Sequence, residues 1–190
     1  MAAPMTVAFT AGDSGDWRIS AVTGVSGPPL PVAPRLAVTT GGPPPPGTWT
    51  LTGTTSNVRY ATRSEMGQLA ARQEGLGRPQ ARRAALIPIR KSEAWWDLAQ
   101  DERRAIFEER SRHTAIGMDY LPAIARRLHH CRELGGAYDF LTWFEFSPEA
   151  ETEFDAMLAR LRASLGCRTW PDMLYHRDRV EKDLHTVHTP

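Results

Sequence analysis

The chain has 190 residues, of which 23 are basic and 22 acidic, so its formal net charge is +1. That length supports one large domain or two small ones around a real core, and near-neutrality leaves neither a basic field for nucleic acid nor an electrostatic pull toward a membrane surface. Cys131 and Cys167 lack zinc-site spacing and are too few for a disulfide framework, which makes a reducing, cytoplasmic setting the expectation.

The opening residues Met1 to Val7 carry no charged or apolar leader pattern. From Trp17 to Val25 the alternation of Trp17, Ile19 and Ala21 with Arg18 and Ser20 predicts a half-buried strand. Pro28, Pro29, Pro31 and Pro34, then Gly41 to Gly47, mark loops on either side of a short strand over Arg35 to Thr40. Thr48 to Tyr60 reads as one or two strands, and Thr62 or Ser64 can cap a helix ending near Gln73. Ala84 to Lys91 is a strand whose Pro88 suggests an edge or a strand end. Asp101 to about His113 is helical, with acidic residues in its first turn, and Pro122 makes its continuation unlikely. Ile124, Arg126, Leu128 and His130 share one face of the next strand, Gly135-Gly136 turns the chain, and Tyr138 to Phe146 is strongly β-prone. Pro148 then opens a helix with Phe154, Met157, Leu158 and Leu161 as its apolar stripe. No apolar stretch approaches the roughly 20 residues of a membrane span.

The order strand, helix, strand, strand, helix predicts an α+β chain with five of the six elements of a ferredoxin-like βαββαβ unit. The sixth should be a strand after Arg162. Residues 76–190 would form this half, and residues 1–75 an abbreviated second copy rich in Pro/Gly loops.

Two residues carry chemistry. His113 reads as the end of the Asp101 helix, and Arg126 lies thirteen positions on, inside an apolar run. A neutral imidazole is a metal ligand, and a guanidinium is a permanently charged clamp for anions. On one straight helix they would stand about 20 Å apart at 1.5 Å per residue. The break at Gly117 and Pro122 lets the chain turn back, so that helix and sheet become two walls of a slot. Taken alone, a histidine closing a helix is more often a dipole partner than a ligand. His129 and His130 fit surface or sheet packing, and Trp95-Trp96 fits a core.

The segment from His113 to Arg126 resembles the haem segment of the chlorite dismutase family. So do Leu86-Ile87-Pro88-Ile89-Arg90-Lys91-Ser92, Trp95-Trp96, Asp101-Glu102-Arg103-Arg104 and Leu134 to Glu145, in a match running from about Arg59 to Arg162. The resemblance implies a ferredoxin-like member of the dimeric α/β-barrel superfamily with a short subunit and a homodimeric state. It implies haem b held through iron by His113, with Lys91, Trp95 and Ile87 around the cofactor and Arg126 on the opposite haem face. The implied reaction takes chlorite to chloride and dioxygen by way of an oxo-iron and hypochlorite pair, with Arg126 holding the anion.

Coproheme decarboxylases of the same superfamily carry a tyrosine where this chain has Ile87, and usually an uncharged residue in place of Arg126. Chlorite chemistry is therefore the expected one, with a peroxidase-like haem protein or a cofactor-free ferredoxin-like dimer as alternatives. The family's proximal glutamate would fall at Gly166, where no carboxylate stands. Such a partner ordinarily orients a ligating histidine.

Overall fold

The computed structural model describes residues 4–24, 29–55, 60–164 and 174–182. The strands are β1 (Thr6–Gly12), β2 (Trp17–Gly24), β3 (Arg35–Thr40), β4 (Trp49–Thr54), β5 (Arg83–Arg90), β6 (Ala125–His130), β7 (Phe140–Phe146) and β8 (Leu174–Lys182). The helices are α1 (Arg63–Arg72), α2 (Glu93–Trp96), α3 (Gln100–Arg104), α4 (His113–Met118) and α5 (Glu151–Ala163), with a π-helical turn over Ala105–Arg110 continuing from α3.

All strand pairs are antiparallel, and the sheet closes on itself in the order β1-β3-β2-β8-β5-β7-β6-β4. Within it, β8-β5-β7-β6 is the ferredoxin-like order of the second half. The first four strands repeat that order as β4-β1-β3-β2, without helices among the described residues of their connections. The fold is thus α+β and ferredoxin-like, with a sheet shared by both halves. Closure leaves none of the exposed edges that an isolated ferredoxin-like unit would present to a partner. The seam between β4 and β6 is short, pairing Thr54 with His130. Gly53 permits it, because an added Cβ would lie 2.7 Å from the His129 Cβ.

Alternation sorts the residues of the second half into two layers. Leu86, Leu141 and Trp143 point into the barrel, where they meet Phe9, Trp17 and Leu36. Ala85, Ile87, Phe144 and Phe146 point outward and pack against Phe154, Met157, Leu158 and Leu161 of α5. Phe154 stacks on Phe146 at a centroid distance of 4.3 Å and meets Phe144 edge-on at 5.4 Å. The predicted stripe of this helix is therefore its buried face.

Several expectations are corrected. Pro88 sits in an interior strand, flanked by β7 and β8. The β5–β8 ladder pairs Leu86 with Asp178 and resumes at Ile89 with Tyr175, so the proline falls where that ladder is interrupted and no N–H is required. The helix from Asp101 does not run to His113: Arg112 adopts a left-handed φ of 51°, and His113 opens α4 instead. The dipole argument is accordingly reversed, since His113 stands where a helix carries partial positive charge. The strand after Arg162 exists as β8, hydrogen-bonded to both β2 and β5. Gly166 and the rest of 165–173 lie outside the described residues, as do Val25 and 56–59.

Candidate functional site

A cavity of about 390 Å³ lies against the outer face of β5, β7 and β6, walled on its other sides by α1, the π-helical turn, α4 and α5. Strand periodicity places its floor: Ile87, Ile89 and Lys91 from β5 and the residue after it, Phe140, Thr142 and Phe144 from β7, and Arg126, Leu128 and His130 from β6. Phe107 and His113 face the floor from the helical side, and Leu158 and Leu161 of α5 close one end. The lining is mostly apolar with a few convergent polar groups, the usual composition of a small-molecule site.

His113 takes no hydrogen bond or ion pair among the described residues, and Phe107 meets its ring edge-on at 5.6 Å. Burial, then the charges of Arg126 and Lys91, press its pKa down to about 3. The imidazole is consequently neutral at any working pH and keeps a lone pair for a metal.

Arg126 likewise has no hydrogen bond or ion pair among the described residues. Burial lowers its proton affinity while the charge of Glu108 raises it, and a guanidinium stays protonated under either influence. Its tip rests against Gly117 of α4, where an added Cβ would approach Cζ to 2.8 Å and Nη2 to 3.0 Å. Gly117 is one turn beyond His113 on the same helix face, so this bare position lets the guanidinium approach the histidine's helix. A half-buried cation without a counter-ion among the described residues is favourably completed by an anion.

Lys91 is 7% exposed, and its ammonium lies 5.1 Å from the Phe107 ring centroid and 5.4 Å from that of Trp95. Its amide donates to Asp139 Oδ2 at 2.6 Å, fixing the end of β5. Trp95, expected at the cofactor, does not line the cavity. It is 1% exposed and packs behind Lys91 and Phe107, supporting the wall. Ile87 does line it, presenting an aliphatic surface.

The adjacent histidines separate by strand alternation. His129 points into the barrel, with Nδ1 3.2 Å from the Leu141 carbonyl oxygen, and burial holds its pKa near 4. His130 points to the cavity and meets Phe140 edge-on at 5.3 Å.

Three contributors escape the sequence reading. Gln73, just past α1, lines the cavity with a buried Oε1 that has no hydrogen-bond partner among the described residues. Gly117 is invisible until its neighbour across the slot is known. Glu108, which lies in a charged Glu-Glu-Arg run that reads as a solvated face, directs its carboxylate to the first amides of α4. Among the described residues no group of three or more His, Cys, Asp or Glu could hold a bare metal ion. A metal carried by a macrocycle needs only one protein ligand, and His113 supplies one.

Comparison with known proteins points to one family. The chlorite dismutase family model matches residues 35–169. The dimeric chlorite dismutase of Nitrobacter winogradskyi superposes with a TM-score of 0.85 at 47% identity, over 93% of this chain and 99% of that one. A chlorite dismutase of Candidatus Nitrospira defluvii matches at 26% identity with a TM-score of 0.53, over 74% of this chain and 56% of that one. The curated chlorite dismutase of Ideonella dechloratans is 29% identical over 100 residues, 52% of this chain, which spans only about a third (34%) of that relative's length.

Proposed function

Since the chain belongs to the chlorite dismutase family, we propose that it holds haem b in this cavity through His113 and converts chlorite to chloride and dioxygen. The observation that carries the proposal is the pairing, in one mostly apolar chamber, of a neutral imidazole and a guanidinium that have no hydrogen bond or ion pair among the described residues. One donor suits a macrocycle-borne iron, and the other suits a small oxyanion.

The residues present fit a haem. The cavity is bounded by a sheet face on one side and helices on the others, its lining is mostly apolar, and His113 stands in its wall with no competing hydrogen bond among the described residues. When bound, haem iron supplies the electron chemistry that breaks a chlorine–oxygen bond and joins two oxygens. The chain's own residues do the rest. His113 anchors the iron with an uncharged nitrogen. Arg126 holds chlorite and retains the hypochlorite fragment by charge-assisted hydrogen bonds without donating its proton. Phe140, Phe144 and Leu158 exclude water, which strengthens that grip. Ile87 brings no phenol to the position where decarboxylases carry tyrosine, which favours chlorite over propionate oxidation.

The likeness to the dimeric Nitrobacter winogradskyi protein supports a homodimer. A closed barrel means that such a dimer forms through sheet faces or helices instead of edge pairing. Among the described residues no helix is long and apolar enough to cross a membrane, and we place the protein in the cytoplasm. Titration of the purified apoprotein with haem tests the proposal. Wild type develops a Soret band and His113→Ala does not; equal bands in both would refute it.

A further inference from the structure

The helix that presents His113 lacks a cap of its own. Arg112 occupies the N-cap position of α4, and a guanidinium has no acceptor to offer the helix amides. The left-handed backbone of Arg112 is a conformation that non-glycine residues seldom hold without support. Six residues is also too short for α4 to persist by hydrogen bonding within itself. Yet the imidazole that it carries must be held in one place to ligate iron.

Glu108 supplies what Arg112 cannot. From the π-helical turn its Oε2 accepts the Thr114 amide at 2.9 Å, and its Oε1 accepts the Ala115 amide at 3.3 Å. These are the two amides following His113, the ones an N-cap side chain ordinarily serves. The same turn is pinned from its other end by Ser111, whose hydroxyl shares its one proton between the Ile106 carbonyl at 2.7 Å and the Phe107 carbonyl at 2.6 Å. Phe107, fixed by that bond, sets its ring against His113. Two successive residues of the turn thus hold the histidine, Phe107 against its ring and Glu108 through the two amides that follow it.

We infer that Glu108 is the positioning residue for His113 and provides the fixed negative charge on the ligand's side of the cavity, from within the chain segment that carries the ligand. The inference rests on the haem-binding reading above. It gives the π-helical turn a purpose, because a register-shifted turn is what aims the carboxylate forward onto α4 instead of back along its own helix. It also accounts for how the ligand can be oriented in a chain with glycine at 166. Were haem bound, a negative charge at the start of the helix that carries its ligand would raise electron density at the iron and favour the ferric state.

The test compares wild type, Glu108→Gln, Glu108→Ala and the neighbouring control Glu109→Gln, each reconstituted with haem b. Haem transfer to apomyoglobin and the haem reduction potential are measured, with thermal unfolding of each apoprotein alongside. Glu108→Ala should lose haem at least about tenfold faster, within the range set by partners of metal ligands. Glu108→Gln keeps an acceptor and loses the charge, so it should move the potential positive with a smaller change in transfer rate. Glu109→Gln should match wild type in both. Should Glu108→Ala fail to fold, Glu108→Gln decides the matter through its potential. Unchanged transfer and potential in protein that binds haem through His113 would overturn the role of Glu108 alone. Wild-type protein that takes up no haem would overturn the functional reading and this inference together.

Discussion

Replacing Gly117 by alanine should separate stability from function, with opposite signs. The backbone at Gly117 is helical, so alanine is compatible with it, and in a helix interior it is favoured over glycine by about 1 kcal/mol. The added methyl, however, would stand 2.8 Å from Arg126 Cζ and 3.0 Å from Nη2, against a relaxed carbon contact of about 3.5 Å or more. The guanidinium must therefore retreat by roughly 1 Å from α4, and displacements of this size near a reacting centre can cost on the order of 100-fold in rate. Calorimetry of the apoprotein should show an unchanged or raised Tm. An oxygen electrode should show kcat/KM for chlorite reduced 10- to 100-fold, about 1.4 to 2.7 kcal/mol of transition-state stabilisation. Wild-type turnover in a well-folded Gly117→Ala protein would show that the Gly117–Arg126 contact plays no part in turnover.

Arg126→Ala should still bind haem and give a Soret band, yet release more hypochlorite and bleach sooner. Equal dioxygen yield and equal leakage would refute the clamp. His130→Ala removes an edge contact to Phe140 in the cavity wall and should retain haem, in contrast to His113→Ala, as absorbance titration of both proteins would show. The apoprotein should lose stability as pH falls from about 6.5 toward 3. His113 and His129 stay neutral in the folded state down to about 3 and 4, whereas both protonate near 6.5 when unfolded. The unfolded chain binds more protons throughout that window, at a cost of up to about 1.4 kcal/mol per pH unit for each histidine. The difference between wild-type and His113→Ala denaturant midpoints should therefore grow as pH rises from about 3 to about 6.5 and stay constant above it, and parallel curves across that window would contradict the pKa shift. Light scattering should give a dimer, and a monomer at micromolar concentration would count against it.

Strand periodicity was the most readable signal in this chain. The alternation of Arg126, Leu128 and His130 with Ala125, Arg127 and His129 shows which side chains share a face, and the closed barrel then makes one of those faces the cavity floor. Thr62 was legible as a cap because its reciprocal bonds with Glu65 are local, at 3.2 and 2.6 Å. Strand β1 was not legible: from Val7 to Gly12 it is buried on both faces between β3 and β4, so it shows no alternation. The interruption before His113 was missed because a 3.6-residue period does not distinguish an α-helix from one that ends in a π turn and a left-handed arginine. Pro88 read as an edge residue because a gap in one ladder of an interior strand leaves no trace in the sequence. Gly117 meets Arg126 only through the turn back at Pro122, Gln73 reaches the cavity only by the packing of α1 over it, and Glu108 reaches Thr114 and Ala115 only because the chain breaks at Arg112. Trp95 matched the pattern of the site and occupies the layer behind it, a distinction that depends on depth, which spacing does not encode.

The most direct test of the account is the stoichiometry of chlorite breakdown by haem-reconstituted protein, followed with an oxygen electrode and chloride analysis. Atom balance requires one dioxygen and one chloride for each chlorite consumed, and the account predicts that ratio for wild type with only trace hypochlorite. Chlorite consumption without dioxygen, or with hypochlorite as the main product, would contradict it.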